Sequence, residues 1–101
     1  MSSRELVRVG ILGGGQLARM LALAGAPLGA KFLMLDTDAH ACGGQVAALM
    51  HADYRDHEAL ARFAEQVDFA TFDFENVPAD SAHWLAERIP VYPNPRALGV
   101  A

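Results

Sequence analysis

Cysteine is almost absent from this sequence. Cys42 is the single one among 101 residues, so no internal disulfide can form, and a reducing, cytoplasmic setting is expected. Positive charge is also scarce. Eight Lys and Arg stand against twelve Asp and Glu, a formal net charge of −4. That balance leaves no electrostatic footprint for DNA or RNA, so a phosphate site here has to rest on backbone N–H groups and a few placed side chains. Long apolar runs are lacking too. Gln16 and Arg19 break the longest windows, which excludes a membrane-spanning helix and any membrane role built on one. No secretory signal peptide is expected, because Arg8 interrupts the first apolar run and no charged leader precedes a clean one. His40, His51, His57 and His83 are scattered, with no pair at ligand spacing on one helix face, so no metal site is expected. A Ser/His/Asp constellation, a P-loop lysine and a CxxC pair are likewise missing.

What is present is apolar: 52% of the residues are hydrophobic, enough for one packed core and too much for a disordered segment. Leu6 to Leu12 is a short apolar, β-branched run that stops at Gly13-Gly14-Gly15, the composition of a buried strand ending in a turn. Gln16 to Ala26 follows with Leu17, Met20, Leu21 and Ala24 at helical spacing, and Gly25 and Pro27 mark its end. Lys31 to Leu35 reads as a second strand. The stretch Ala39 to Ala52 is ambiguous: Gly43-Gly44 is a turn, and Gln45 to Met50 fits one helical turn or the approach to a short strand. Asp56 is a good N-cap for a helix to about Gln66 with Leu60, Phe63, Ala64 and Val67 on one face. Phe69 to Phe74 reads as a strand. Pro78 suits the first turn of a helix to about Glu87, with Trp84 and Leu85 on its apolar face. Val91-Tyr92 is a short strand that Pro93-Asn94-Pro95 breaks, and Arg96 to Ala101 reads as the start of another helix. Alternation of this kind predicts an α/β fold: a three-layer, mostly parallel, Rossmann-like sheet with helices on both faces.

The chemistry concentrates at two turns. Gly13-x-Gly15-x-x-Ala18 follows a strand and opens a helix. Glycines there let the chain reverse tightly and let a phosphate approach the backbone, while the helix aims its free N–H groups and positive dipole end at it. Gln16 adds an amide at the same helix mouth. Asp36 ends the second strand about 20 residues on, where a ribose-binding carboxylate lies in dinucleotide sites; its plainer role is to stabilise a turn. Glu75-Asn76 follows a strand and precedes a proline-started helix. Carboxyl ends of parallel strands are where α/β sheets bind ligands, so Glu75 is expected near the crevice that holds Gln16. Its plainer role is a first-turn acid complementing the helix dipole. Asp73 is expected one strand step from Glu75 and on its face. Trp84 fits packing better than ligand stacking, Cys42 fits a small core or loop residue, and Arg19 faces solvent or pairs with an acid.

Taken in order, several segments resemble the carboxyaminoimidazole ribonucleotide synthetase family, whose members are also called ATPase subunits of phosphoribosylaminoimidazole carboxylase and belong to the ATP-grasp superfamily. They are Gly13-Gly14-Gly15-Gln16-Leu17-Ala18-Arg19-Met20-Leu21, Ala26-Pro27-Leu28-Gly29, Leu35-Asp36, Thr71-Phe72-Asp73-Phe74-Glu75-Asn76-Val77-Pro78 and Tyr92-Pro93-Asn94-Pro95-Arg96-Ala97-Leu98. The chain departs from the family at Ala18, where glycine is usual, at Asp73, where glutamate is frequent, and around Ala48 to Asp53, which is short. The resemblance implies a pre-ATP-grasp domain over residues 1–95, with 96–101 starting the helix toward an ATP-grasp region. It implies a ligase of de novo purine biosynthesis in which ATP phosphorylates bicarbonate and carboxyphosphate carboxylates the exocyclic amine of aminoimidazole ribonucleotide. ATP and Mg2+ are then held outside this chain, which is expected to be inactive alone. Gly15, Gln16 and Leu17 are implied to meet the ribonucleotide with their N–H groups toward its phosphate, Glu75 to accept from its ribose hydroxyls, and Asn76 to support that loop. The family also implies a homodimer.

Two other readings stay open on the residues alone. One is an NAD(H)-binding Rossmann domain of a dehydrogenase or transport-regulatory protein, which uses Gly13, Gly15, Ala18 and Asp36 but leaves Gln16 and Phe74-Glu75-Asn76 unexplained. The other is a non-catalytic interaction domain on the same scaffold.

Overall fold

A computed structural model describes residues 6–73 and 75–93. Strands β1 (Val7–Leu12), β2 (Ala30–Asp36), β3 (Ala48–His51), β4 (Phe69–Phe72) and β5 (Val91–Tyr92) alternate with helices α1 (Gln16–Gly25), α2 (His57–Glu65) and α3 (Ala79–Ala86). The five strands form one sheet in the order β3-β2-β1-β4-β5, and every pairing is parallel. The ambiguous stretch resolves into a 3-10 turn at Cys42–Gln45 and the edge strand β3. The expected strand end at Phe74, residues 1–5 and the segment from Asn94 onward, with the helix start expected at Arg96 to Ala101, lie outside the described residues.

The C-terminal half of the central strand β1 is buried on both faces, and the alternation of its side chains sorts the core in two. Ile11 lies beside Met34 of β2 and packs with Ala18 and Ala22 of α1. Leu12, one residue on, lies between Leu35 and Phe72. It joins the larger cluster with Leu60, Phe63 and Val67 from the α2 side and Ala82 and Leu85 of α3. Helices thus cover both faces, giving three layers. Phe63 is wholly buried, which contributes roughly 1.5–3 kcal/mol. Its ring lies against the backbone of Gly10, where an added Cβ would come within 2.6 Å of a ring carbon.

Helix α2 forms as its sequence predicts. Asp56 caps it, its carboxylate accepting from the Ala59 N–H at 3.2 Å. Helix α3 is preceded by Pro78 and buries Ser81, Ala82 and Leu85. Trp84 on α3 is half-buried, stacked on His57 at 4.4 Å and covered by the Arg88 guanidinium at 3.4 Å, so its faces are engaged within the chain. At the N-terminal end of the sheet, Arg8 donates from its side chain and backbone N–H to Asp68 at 2.9 and 2.8 Å, and these bonds hold that carboxyl below the usual range.

Helix α1 turns the expected stripe outward. Met20 is 61% exposed, Leu17, Leu21 and Leu23 are also exposed, and the buried positions are Ala18 and Ala22. The tight turn at Gly13 sets the helix close to β1 and β2, where only small side chains fit. The helical spacing of the large residues marks the helix correctly but names its outer face.

Candidate functional site

Strand β1 pairs with β2 on one side and β4 on the other, so the chain leaves β1 toward one half of the sheet and later returns beside it. A crevice outside the carboxyl ends of the strands at such a reversal is where open α/β sheets bind ligands. Two turns border it.

The first is the glycine turn. Gly13 sits at φ +103°, a conformation that a side chain strains. Its N–H donates to the Leu35 carbonyl at 2.7 Å. The Gly14 N–H donates to Asp36 Oδ2 at 2.6 Å, and the Gly14 carbonyl accepts from the Gly43 N–H at 2.6 Å. Those two residues are therefore fixed from within. Gly15 differs: a Cβ placed there would meet nothing within 4 Å. It is the N-cap of α1, with no side-chain cap and no acid in the first turn. Gln16 and Leu17 follow, both exposed. Gly15, Gln16 and Leu17 thus present an accessible helix N-terminus, whose amides and dipole favour an anion.

The second turn follows β4. The Asp73 N–H donates to the Leu12 carbonyl at 3.1 Å, extending the ladder one residue past the strand. The Asp73 carboxylate then folds back, Oδ1 accepting from the Glu75 N–H at 3.2 Å and Oδ2 from Asn76 Nδ2 at 2.7 Å. The expectation that Asp73 and Glu75 share a face by one strand step is corrected here: β4 ends at Phe72, and Asp73 builds the turn that carries Glu75. The Asn76 amide is directed to Asp73, while Glu75 is exposed. The two turns touch, since a Cβ on Gly13 would lie 3.3 Å from the Asp73 Cβ. Gln16 and Glu75 accordingly follow neighbouring strands, β1 and β4, beyond their carboxyl ends.

Asp36 does not stand ready for a ribose. Its Oδ2 accepts from Gly14 and its Oδ1 from the Asp38 N–H at 2.9 Å, so it acts as a turn-holding carboxylate. The dinucleotide reading loses its acid. Arg19 is half-buried and Cys42 opens the 3-10 turn, half-exposed. Among the described residues no three His, Cys, Asp or Glu side chains gather as a metal cluster, and none of their helices is long and apolar enough to cross a membrane.

Tyr54 is a residue that sequence reasoning passed over. It is 8% exposed, and its hydroxyl lies 3.9 Å from the Cβ position of Gly13. Burial, then the charge of Asp36 and hydrogen bonding to it, then the charge of Asp73, push this hydroxyl far above the ordinary tyrosine range. It stays protonated and serves as a donor. A tyrosine in a polar loop, next to Asp53 and Arg55, carries no local sign of this placement.

Comparison with known proteins agrees with the fold. A family model for the ribonucleotide synthetase preATP-grasp domain matches residues 6–101. The N5-carboxyaminoimidazole ribonucleotide synthase of Pseudomonas aeruginosa is 47% identical over 95 residues, 94% of this chain and 26% of that protein. The crystal structure of N5-carboxyaminoimidazole ribonucleotide synthetase from Thermus thermophilus superposes with a TM-score of 0.86 at 54% identity, over 92% of this chain and 26% of that one. The enzyme from Staphylococcus aureus, solved in complex with ADP, gives a TM-score of 0.83 at 31% identity, over 91% and 25% respectively. This chain therefore spans about a quarter of the length of its relatives.

Proposed function

The chain belongs to the ribonucleotide synthetase preATP-grasp domain family, and on that footing we propose that it is the substrate-binding N-terminal domain of an ATP-dependent ligase that carboxylates aminoimidazole ribonucleotide with bicarbonate in purine biosynthesis. The observation that carries this reading is the juxtaposition of two turns, an uncapped helix N-terminus at Gly15 and a turn presenting Glu75, at the point where the strand order reverses.

On this reading the N–H groups at Gly15, Gln16 and Leu17 hold the phosphate end of the ribonucleotide, and Glu75 accepts from its ribose hydroxyls. Asn76, anchored to Asp73, braces the loop rather than reaching the ligand. Positive charge is scarce in this chain, so backbone dipole, not a lysine cluster, supplies the attraction that these residues provide. The domain runs over 1–95, and 96–101 lead into an ATP-grasp region. ATP with Mg2+ is the cosubstrate, held by parts of a full-length ligase other than this chain. The relative solved with ADP supports nucleotide use in the family. A homodimeric assembly and a cytoplasmic location complete the reading.

The test is steady-state kinetics of a full-length ligase carrying this domain. Gln16→Ala and Glu75→Gln each remove one polar contact to the ribonucleotide, expected to raise its KM about tenfold with the KM for ATP unchanged. Unchanged KM for aminoimidazole ribonucleotide in both variants would point to an interaction domain instead.

A further inference from the structure

We propose that Tyr54 and Asp36 are positioning residues for the ribonucleotide: they lock the glycine turn and the Glu75 turn into the one mutual arrangement in which both reach the same ligand. The inference rests on the reading above and extends it to two side chains that touch no substrate.

Tyr54 enters the seam from the connection between β3 and α2. Its backbone is held from α3, the helix that follows the Glu75 turn, because the Ser81 Oγ–H donates to the Tyr54 carbonyl at 2.7 Å. Ser81 is the one buried polar side chain of the described core, 2% exposed, so this bond is shielded from water. The tyrosine ring packs in the large apolar cluster, and its hydroxyl reaches beneath Gly13. There it meets Asp36, which holds the Gly14 N–H at 2.6 Å, and it lies in the field of Asp73, which holds Glu75 and Asn76. One residue, tied through its carbonyl to α3, therefore sets its hydroxyl beneath the turn that Asp36 fixes.

Packing alone does not ask for that hydroxyl. Phenylalanine would fill the same apolar space without burying a polar atom, and burial of a polar atom costs free energy unless it is bonded. A hydroxyl that donates to the Asp36 carboxylate adds a second hold on the group that already accepts from the Gly14 N–H. Removing the donor leaves the core filled and releases the turns relative to each other. Neither turn loses its own internal bonds, so the expected defect is in how well they meet a shared ligand.

Kinetics of a full-length ligase carrying this domain test the idea, with aminoimidazole ribonucleotide, ATP and bicarbonate as substrates. Tyr54→Phe is expected to raise the KM for the ribonucleotide about tenfold, with kcat and the KM for ATP changed by less than about twofold and the melting temperature nearly kept. Asp36→Asn, which keeps an oxygen for the Gly14 N–H, is expected to show the same split more weakly than Asp36→Ala. An unchanged ribonucleotide KM in folded Tyr54→Phe overturns the proposal. So does an equal loss for every substrate together with a fallen melting temperature, which is the mark of a purely structural role. Should Tyr54→Phe fail to fold, the Asp36 pair reads the same split. The outcomes separate two failures. If Gln16→Ala and Glu75→Gln leave the ribonucleotide KM unchanged, the ligand reading itself falls. If they raise it while the Tyr54 and Asp36 variants do not, only the positioning role falls.

Discussion

Gly13 and Gly15 stand two residues apart in one turn and face opposite constraints. Gly13 adopts φ +103° with Asp73 close by, whereas the space beside Gly15 is open. Gly13→Ala is expected to cost about 1–2 kcal/mol of stability, the usual penalty for a side chain in the left-handed region. Gly15→Ala should stay within about 0.5 kcal/mol, measured by urea unfolding, yet weaken ribonucleotide binding in a full-length ligase. Equal destabilisation by both would make the turn a scaffold only. Tyr54 gives a second prediction at this scale. Its hydroxyl ionises less readily in the folded chain than in the unfolded one. The stabilisation this represents is complete below the unfolded value of about 10 and is lost as pH rises beyond it. Stability measured by urea unfolding should therefore fall above about pH 10, and fall less in Tyr54→Phe. The glycine turn and the acid before Pro78 are legible in the sequence because their chemistry is local. Tyr54 is not, because its role depends on Asp36 and Asp73, which only the fold brings to it.

Among the elements, α2 and α1 show what a periodic pattern does and does not carry. In α2 the cap at Asp56 and the stripe through Leu60, Phe63 and Ala64 agree, and that stripe is the buried one. In α1 the large residues share a spacing but not a burial, and the alanines lie inside. Periodicity reports where apolar residues recur; it does not report how near a neighbouring sheet comes. The turn at Gly13 decides that distance, and the sheet accepts only Ala18 and Ala22. Ala22→Leu is therefore expected to destabilise by about 1–3 kcal/mol through overpacking. Met20→Gln should stay within about 0.5 kcal/mol. Thermal unfolding of the two variants checks the assignment of faces, and the reverse order would undo it. The edge strand β3 spans Ala48–His51, too short a run to separate strand from turn by pattern, which is why its stretch read both ways.

For the molecule as a whole, alternation of strands and helices was enough to foresee a parallel sheet covered on both faces, because crossover connections of one hand leave few other arrangements. The strand order was not legible. Nothing local in Phe69–Phe72 says that it joins β1 rather than β3; the pairing joins Val9–Leu12 to a segment far along the chain. The site inherits this, since the glycine turn and Glu75 are neighbours only in that order. The order has a mechanical side. Strands β1, β2 and β3 come from the earlier part of the chain and β4 and β5 from the later part. The one ladder joining the two sets pairs Val9–Leu12 with Phe69–Phe72. A nucleotide gripped by Gln16 and Glu75 would straddle that seam like a clasp, so that tightness of binding and resistance to unfolding rise together.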